Sequence, residues 1–408
     1  MSSTEIADRS RSPVEEALAA CPCCRSDALD VFHEQYSVPV HSCRLVETRE
    51  EALSFPRGSL RLALCRECGF ITNVAYEPSL QDYGLAYEET QGFSPTFQEF
   101  ARALAVQWIE RYDLRGKRIL EIGCGKGEFL SLLCELGENN GVGIDPAFVE
   151  TRLTSTAAER MSFIRDLYDE RYEHIEADAI VCRHTIEHIA PVADFLALIR
   201  RTVRDRFETA VLFDLPDARR VFREPAFWDV YYEHCSYFTA GSLARLFRRS
   251  GFRVVALERA YDDQYLVIEA FPAPDDGSRP LSLEESPQEL AEDVASFRRS
   301  FAETTTRWRD LLGAARADGR RTAIWGAGSK GVSFLTTLAM GDEVAYAVDI
   351  NPYKQGKFLA GTGHAVVGPA HMTEEPPELV VAMNSIYLRE IRAELDARGL
   401  QATELRGV

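Results

Sequence analysis

Residues 118–145 constrain the fold of this chain more than any other stretch. Arg118–Ile122 is an apolar run of strand type, glycines follow at 123, 125 and 127, and a helix is expected from near Glu128. Glycine lets the backbone turn sharply there and lets a ligand approach it without meeting a Cβ. A second strand-like run, Gly141–Ile144, ends in Asp145. In α/β folds the strand-to-helix turn at the carboxyl edge of a parallel sheet is where ligands bind. The pattern Glu121-x-Gly123-x-Gly125-x-Gly127 is not the dinucleotide spacing GxGxxG, and it adds an acid just before the first glycine.

The rhythm extends in both directions. Helical periodicity begins around Phe97 and runs to Tyr112, with apolar residues three and four apart. Strand-like and helix-like segments then alternate through Met161–Asp166, Ala177–Thr185 and Thr209–Leu215, the sequence form of a doubly wound α/β sheet. Pro272–Ser282 is a Pro/Gly/Asp/Ser break. A long helix is expected from Pro287 to about Ala317, with Leu290, Val294, Phe297, Phe301, Trp308 and Leu312 along one side. The strand-and-helix rhythm restarts at Arg321, as a second α/β unit without a tandem repeat. For 408 residues this gives three parts, at 1–80, 81–283 and 284–408. The first dozen residues are polar and read as a disordered tail.

Glu121, the three glycines and Asp145 together resemble the first motifs of the Rossmann-like methyltransferases. The resemblance implies a loop wrapped around the methionine part of S-adenosylmethionine, with Asp145 on the ribose hydroxyls. Asp166, closing the third strand, matches the position that often faces the adenine amine. His184 and His188, after the fourth strand, match residues at the mouth of the donor site. Taken singly, Glu121 also reads as a capping carboxylate, Asp166 as a turn residue and His188 as a packed helix-start histidine.

Six of the ten cysteines precede residue 70. Cys21-x-x-Cys24 and Cys65-x-x-Cys68 can place four thiolates tetrahedrally about a structural zinc ion, in a region short of strong helical periodicity. Cys23, Cys43 and, more weakly, His41 are spare ligands, and free buried thiols are the alternative. A redox pair would not need a second matching one.

Residues 227–243 put a histidine beside a carboxylate and tyrosines, and histidine exchanges protons near neutral pH. They also read as an aromatic lid on the sheet edge. Tyr231-x-Glu233-His234-x-x-Tyr237-Phe238-Thr239 resembles the signature of sugar C-methyltransferases acting on nucleotide-linked keto-deoxysugars. Their zinc module, donor domain and smaller C-terminal α/β domain match the three parts here, across about residues 21–408. The C-terminal part resembles theirs in Gly326–Gly331 and Val348–Gly356. The resemblance implies that His234 removes a proton next to a ketone, with Glu233 and Tyr231 as its polar neighbours. Tyr87 falls in the segment that closes over the substrate, and Tyr237 within the same signature. Two departures lie in the substrate half. His184 stands for the usual asparagine, and Asp262–Val267 replaces a His-Gly-Gly-Ser-x-Arg segment. O-, N- or S-methylation of another small molecule is therefore the alternative.

Gly326-x-Gly328-x-x-Gly331 does fit the dinucleotide spacing, with Asp349 closing the next strand. No separate hydride-transfer site accompanies it, and Lys330, Asn351 and Lys354 read instead as contacts for a diphosphate. Lys354 reads equally as a surface residue. The formal charge of −18 argues against a nucleic-acid partner. No apolar run reaches the roughly 20 residues that span a bilayer. The N-terminus lacks a signal-peptide core, so a cytoplasmic enzyme with a small-molecule substrate is expected.

Overall fold

The computed structural model describes residues 20–273 and 279–408. The expected N-terminal tail and residues 274–278 of the Pro/Gly break lie outside them.

The first sheet starts from β1 (Leu29–Pro39), β2 (Arg57–Cys65) and β3 (Ile71–Asn73), an antiparallel meander with the short helix α1 (Arg49–Leu53) between its first two strands. The chain then runs along the cleft described below and enters α2 (Pro95–Tyr112). Ser94 caps this helix by accepting from the Phe97 amide, and Pro95 occupies the first turn, where its missing N–H costs nothing. The helix thus starts one step ahead of its apolar stripe.

The central sheet is built from β4 (Arg118–Ile122), β5 (Asn140–Ile144), β6 (Met161–Ile164), β7 (Ala179–Arg183) and β8 (Ala210–Pro216), all parallel. β9 (Ser236–Tyr237) leaves it and pairs with β3, so the N-terminal sheet is completed from inside the segment 81–283. β10 (Phe252–Ala260) and β11 (Tyr265–Pro272) return antiparallel to the edge, giving the order β10-β11-β8-β7-β4-β5-β6. Every residue of β7 is buried, as expected where helices cover both faces. Those helices are α2 and α3 (Glu128–Gly137) on one face and α4 (Val192–Val203) on the other, while α5 (Ala218–Arg223) packs against the N-terminal sheet and α6 (Ala240–Arg249) lies beside α4.

The C-terminal part opens with α7 (Pro287–Ala317), capped by a reciprocal Ser286–Glu289 box. Leu290, Val294, Phe297 and Leu312 of the expected stripe are buried, and Phe301 and Trp308 pack partly buried beside them. β12 (Thr322–Trp325), α8 (Ser329–Leu338), β13 (Tyr346–Val348), β14 (Val366–Val367), α9 (His371–Glu374), β15 (Leu379–Ala382), α10 (Leu388–Ala397) and β16 (Glu404–Gly407) follow. Their five strands are parallel, in the order β14-β13-β12-β15-β16. The architecture is a doubly wound methyltransferase-type sheet flanked by a cysteine-bearing module and a second α/β unit. No helix among the described residues is long and apolar enough to cross a membrane.

Candidate active site

The central sheet reverses its winding between β4 and β7, and that switch point opens a crevice at their carboxyl ends. A cleft of about 1190 Å³ fills it and continues to the glycine loop after β12. All three parts of the chain contribute to its walls.

The turn after β4 is left-handed at Gly123, Gly125 and Gly127, with φ of 72°, 55° and 82°. A Cβ on Gly123 would lie 2.0 Å from Thr185 Oγ1, and one on Gly125 would lie 2.7 Å from Glu89 Oε1. Only glycine permits this turn, which brings its backbone against Thr185 and Glu89 in the cleft wall. Asp145 ends β5 and accepts from the Gly125 amide at 2.8 Å and the Ala147 amide at 2.7 Å. Burial raises its pKa above the ordinary value. Glu121 is buried with Oε2 unpartnered, and burial pushes its pKa up to about 8 although Arg183 opposes the shift. An orphaned buried carboxylate under a glycine cradle suits the ammonium end of S-adenosylmethionine. Asp166 also lines the cleft, accepting from Tyr172 Oη at 2.7 Å.

His184 follows β7 with a positive φ of 46°. Its ring nitrogens lie 3.4 Å from Asp214 and 3.7 Å from Glu187. Burial opposes a charge there, but Asp214 and Glu187 outweigh it and raise the pKa to about 9. The Tyr265 ring stands 4.5 Å from the His184 ring.

His234 sits in the cleft wall with the rings of Tyr231 at 4.2 Å and His188 at 4.8 Å. Burial holds its pKa well below the ordinary value, with His188 adding to the effect, so the neutral imidazole prevails near pH 7. Tyr237 Oη accepts from the Tyr231 amide at 3.3 Å and donates to the Tyr231 carbonyl at 3.1 Å, bracing the loop. Glu233 points elsewhere. His41 Nδ1 lies 2.8 Å from its Oε1, Ser42 donates to its Oε2, and the Asp82 amide donates to His41 Nε2. An Nδ1–H tautomer of His41 satisfies both contacts. Burial would raise the pKa of Glu233, but these donors hold it lowered.

Tyr87 is buried over His41, and Lys126 donates to its carbonyl at 2.9 Å. Lys330 is tied to Asp229 at 3.0 Å and Gln264 at 3.1 Å. Asn351 donates to Glu88 at 2.8 Å, and Lys354 is 6% exposed beside Asp349, so its surface reading is excluded.

Away from the cleft, Cys21 and Cys68 Sγ are 3.7 Å apart, and those of Cys24 and Cys65 are 3.5 Å apart. Zn–S bonds of about 2.3 Å in a tetrahedron give S···S edges of about 3.8 Å, so the four thiols fit zinc. Cys23 packs against Cys21 and Cys68. Cys43 is elsewhere, its Sγ 3.2 Å from Ser329 Oγ, and His41 is committed to Glu233.

His41, Ser42, Tyr83 and Glu89 reach the site without having been singled out for it in the sequence. Only the aromatic and acidic run Tyr83–Glu89 carried a local signal, in its proximity to Tyr87.

The chain is similar to known methyltransferases. A methyltransferase domain model matches residues 96–257, and a C-methyltransferase C-terminal domain model matches residues 281–403. C-methyltransferase NovU of Streptomyces niveus is 27% identical over 350 residues, 81% of this chain and 81% of that protein. Ribosomal protein L11 methyltransferase of Tolumonas auensis is 29% identical over 125 residues, 30% of this chain and 40% of its own length. A solved 1,6-didemethyltoxoflavin-N1-methyltransferase of Burkholderia thailandensis, with S-adenosylhomocysteine bound, covers 44% of this chain and 81% of its own at 16% identity and a TM-score of 0.33.

Proposed function

We propose that this chain, which belongs to the family of S-adenosylmethionine-dependent C-methyltransferases, methylates a carbon beside a ketone on a nucleotide-linked deoxysugar. The observation that carries the reading is His234: buried in the wall of the cleft that the donor loop also lines, with neither ring nitrogen hydrogen-bonded to a described residue. A neutral imidazole so placed takes a proton from the acceptor carbon. The C–H pair becomes that of an enolate, and the enolate carbon forms the new C–C bond to the donor methyl. The donor supplies an electrophilic methyl on a sulfonium, whose departing bond pair returns to sulfur. His234 then releases its proton to solvent. Tyr231 and Tyr237 hold the imidazole's loop, and Glu233 serves as an anchor to the N-terminal part rather than as a proton carrier.

The nucleotide part of the acceptor is supported by Lys330, Asn351 and Lys354, which line the C-terminal end of the same cleft. Structural zinc on Cys21, Cys24, Cys65 and Cys68 is supported by their spacing. The test is hydrogen exchange. Protein, a nucleoside-diphosphate-linked keto-deoxysugar and S-adenosylhomocysteine in heavy water should exchange one substrate proton for deuterium. His234→Ala should lose exchange and turnover by about 10²–10⁴-fold, the range of an aligned base. Retained turnover in that variant would remove His234 as base. A product methylated on oxygen, nitrogen or sulfur would remove the enolate.

A further inference from the structure

We infer that Glu187, His188 and His234 form a second metal site, facing the cleft and distinct from the four cysteines, at which a divalent transition metal switches the enzyme off. One ligand atom from each of the three side chains lies within 4.8 Å of the other two. Two imidazoles and one carboxylate suit borderline cations such as Co²⁺, Ni²⁺ or Zn²⁺ rather than Mg²⁺, which prefers oxygen ligands alone.

Three independent features prepare the site. Glu187 is 2% exposed, and its Oε2 has no hydrogen-bond partner among the described residues. A buried carboxylate oxygen is costly to leave unpaired, and a cation is one way to pair it. His188 has Nδ1 3.2 Å from Tyr83 Oη, an outer contact that orients the ring and leaves Nε2 available. His234 offers a ring nitrogen that hydrogen-bonds to no described residue. Backbone geometry brings the three together. Glu187 and His188 share the single turn after β7, and His234 precedes β9, whose neighbour Cys235 lies 3.7 Å from the Glu187 carbonyl. The cleft gives hydrated ions a path in, and all three ligands lie in its wall.

The regulatory consequence rests on the reading of His234 as base. One lone pair cannot hold a metal and take a substrate proton together, so occupancy replaces proton abstraction by a coordinated, inert imidazole.

The test uses full-length protein with its cysteine site already filled by zinc, titrated with CoCl₂. About one further Co²⁺ per chain should bind, with the weak visible bands of nitrogen and oxygen ligation and without thiolate-to-cobalt charge transfer. Glu187→Gln and His234→Ala should each weaken binding by at least the roughly 10–100-fold known for losing an outer-sphere partner. Unchanged circular dichroism and zinc content in both variants confirm their folding. Saturating Co²⁺ should suppress deuterium exchange of the keto-sugar by at least tenfold, and a chelator should restore it. No cobalt beyond the cysteine site, or equal uptake in both variants, overturns the site even where His234→Ala is inactive. Specific uptake with undiminished exchange overturns the switch, and with it His234 as the base.

Discussion

Replacing His41 by alanine tests whether the N-terminal part is a component of the active site. His41 and Glu233 are almost fully buried, so their 2.8 Å contact is little weakened by solvent. Loss of one hydrogen bond to a buried carboxylate costs about 1.5–3 kcal/mol, and the stranded Asp82 amide adds about 1 kcal/mol. A total near 3 kcal/mol, at about 2–4 °C per kcal/mol for a unit of this size, lowers the melting temperature by about 6–12 °C. His41→Asn keeps an N–H near the Nδ1 position and should recover about half of that loss. Thermal melting followed by tryptophan fluorescence measures both variants. Amide exchange across residues 231–239 should accelerate in His41→Ala, while exchange in β4 and β5 stays unchanged. Affinity for S-adenosylhomocysteine should stay within about twofold, because Asp145 and the glycine loop do not touch His41. Equal melting temperatures and exchange in wild type and His41→Ala would refute the contact. An equal loss in His41→Asn would show that the ring's bulk, not its donor, matters.

Purified protein should hold about one zinc per chain, and Cys65→Ser should lose it, as elemental analysis will show. Asp145→Ala should weaken S-adenosylhomocysteine by about 1–3 kcal/mol in calorimetry, and Gly125→Val should abolish binding, since its side chain would meet Glu89 at a φ that β-branched residues avoid. Burial pushes Glu89 up to about 7 although Lys126 opposes it, so the folded state holds its proton longer than the unfolded chain. Its contribution to stability therefore falls as pH climbs from about 4.5 to about 7. Melting temperature measured against pH should carry this fall, and Glu89→Gln should flatten it.

The glycine turn and the strands around it were legible because their determinants are local. Glu121, Gly123, Gly125 and Gly127 lie in one strand and turn, and Asp145 closes the next strand. The parallel sheet follows from apolar runs such as Ala179–Arg183 that have no polar face. The cysteine cluster was legible as two short pairs, although the meander between them was not, since β3 is only three residues long and pairs with a two-residue β9. The role of Glu233 was misread as a polar neighbour of His234. Its partners, His41 and Ser42, are 192 and 191 residues away in sequence, and no periodicity reports a contact at that distance. Lys354 was ambiguous for the same reason, since Cys43 and Glu88, whose charges act on it, lie far away in sequence.

The loop that carries His234 is held from both flanks, one of them by the C-terminal part. Tyr232 Oη accepts from the Glu77 amide at 2.9 Å on the N-terminal side. On the other side Ser333, in α8, has its hydroxyl 3.1 Å from the Phe227 carbonyl and 2.7 Å from the Val230 carbonyl. One hydroxyl proton serves one carbonyl at a time, so Ser333→Ala removes a single net hydrogen bond worth about 1 kcal/mol. That is too little to unfold a second α/β unit, yet it acts one residue before Tyr231. Turnover should fall, amide exchange of residues 227–234 should quicken, and S-adenosylhomocysteine should bind as before. Gly125→Val should do the reverse, abolishing donor binding while the loop keeps its protection. If Ser333→Ala weakened donor binding and turnover alike, the loop and the donor turn would form one cooperative unit, and the division drawn between them would be wrong.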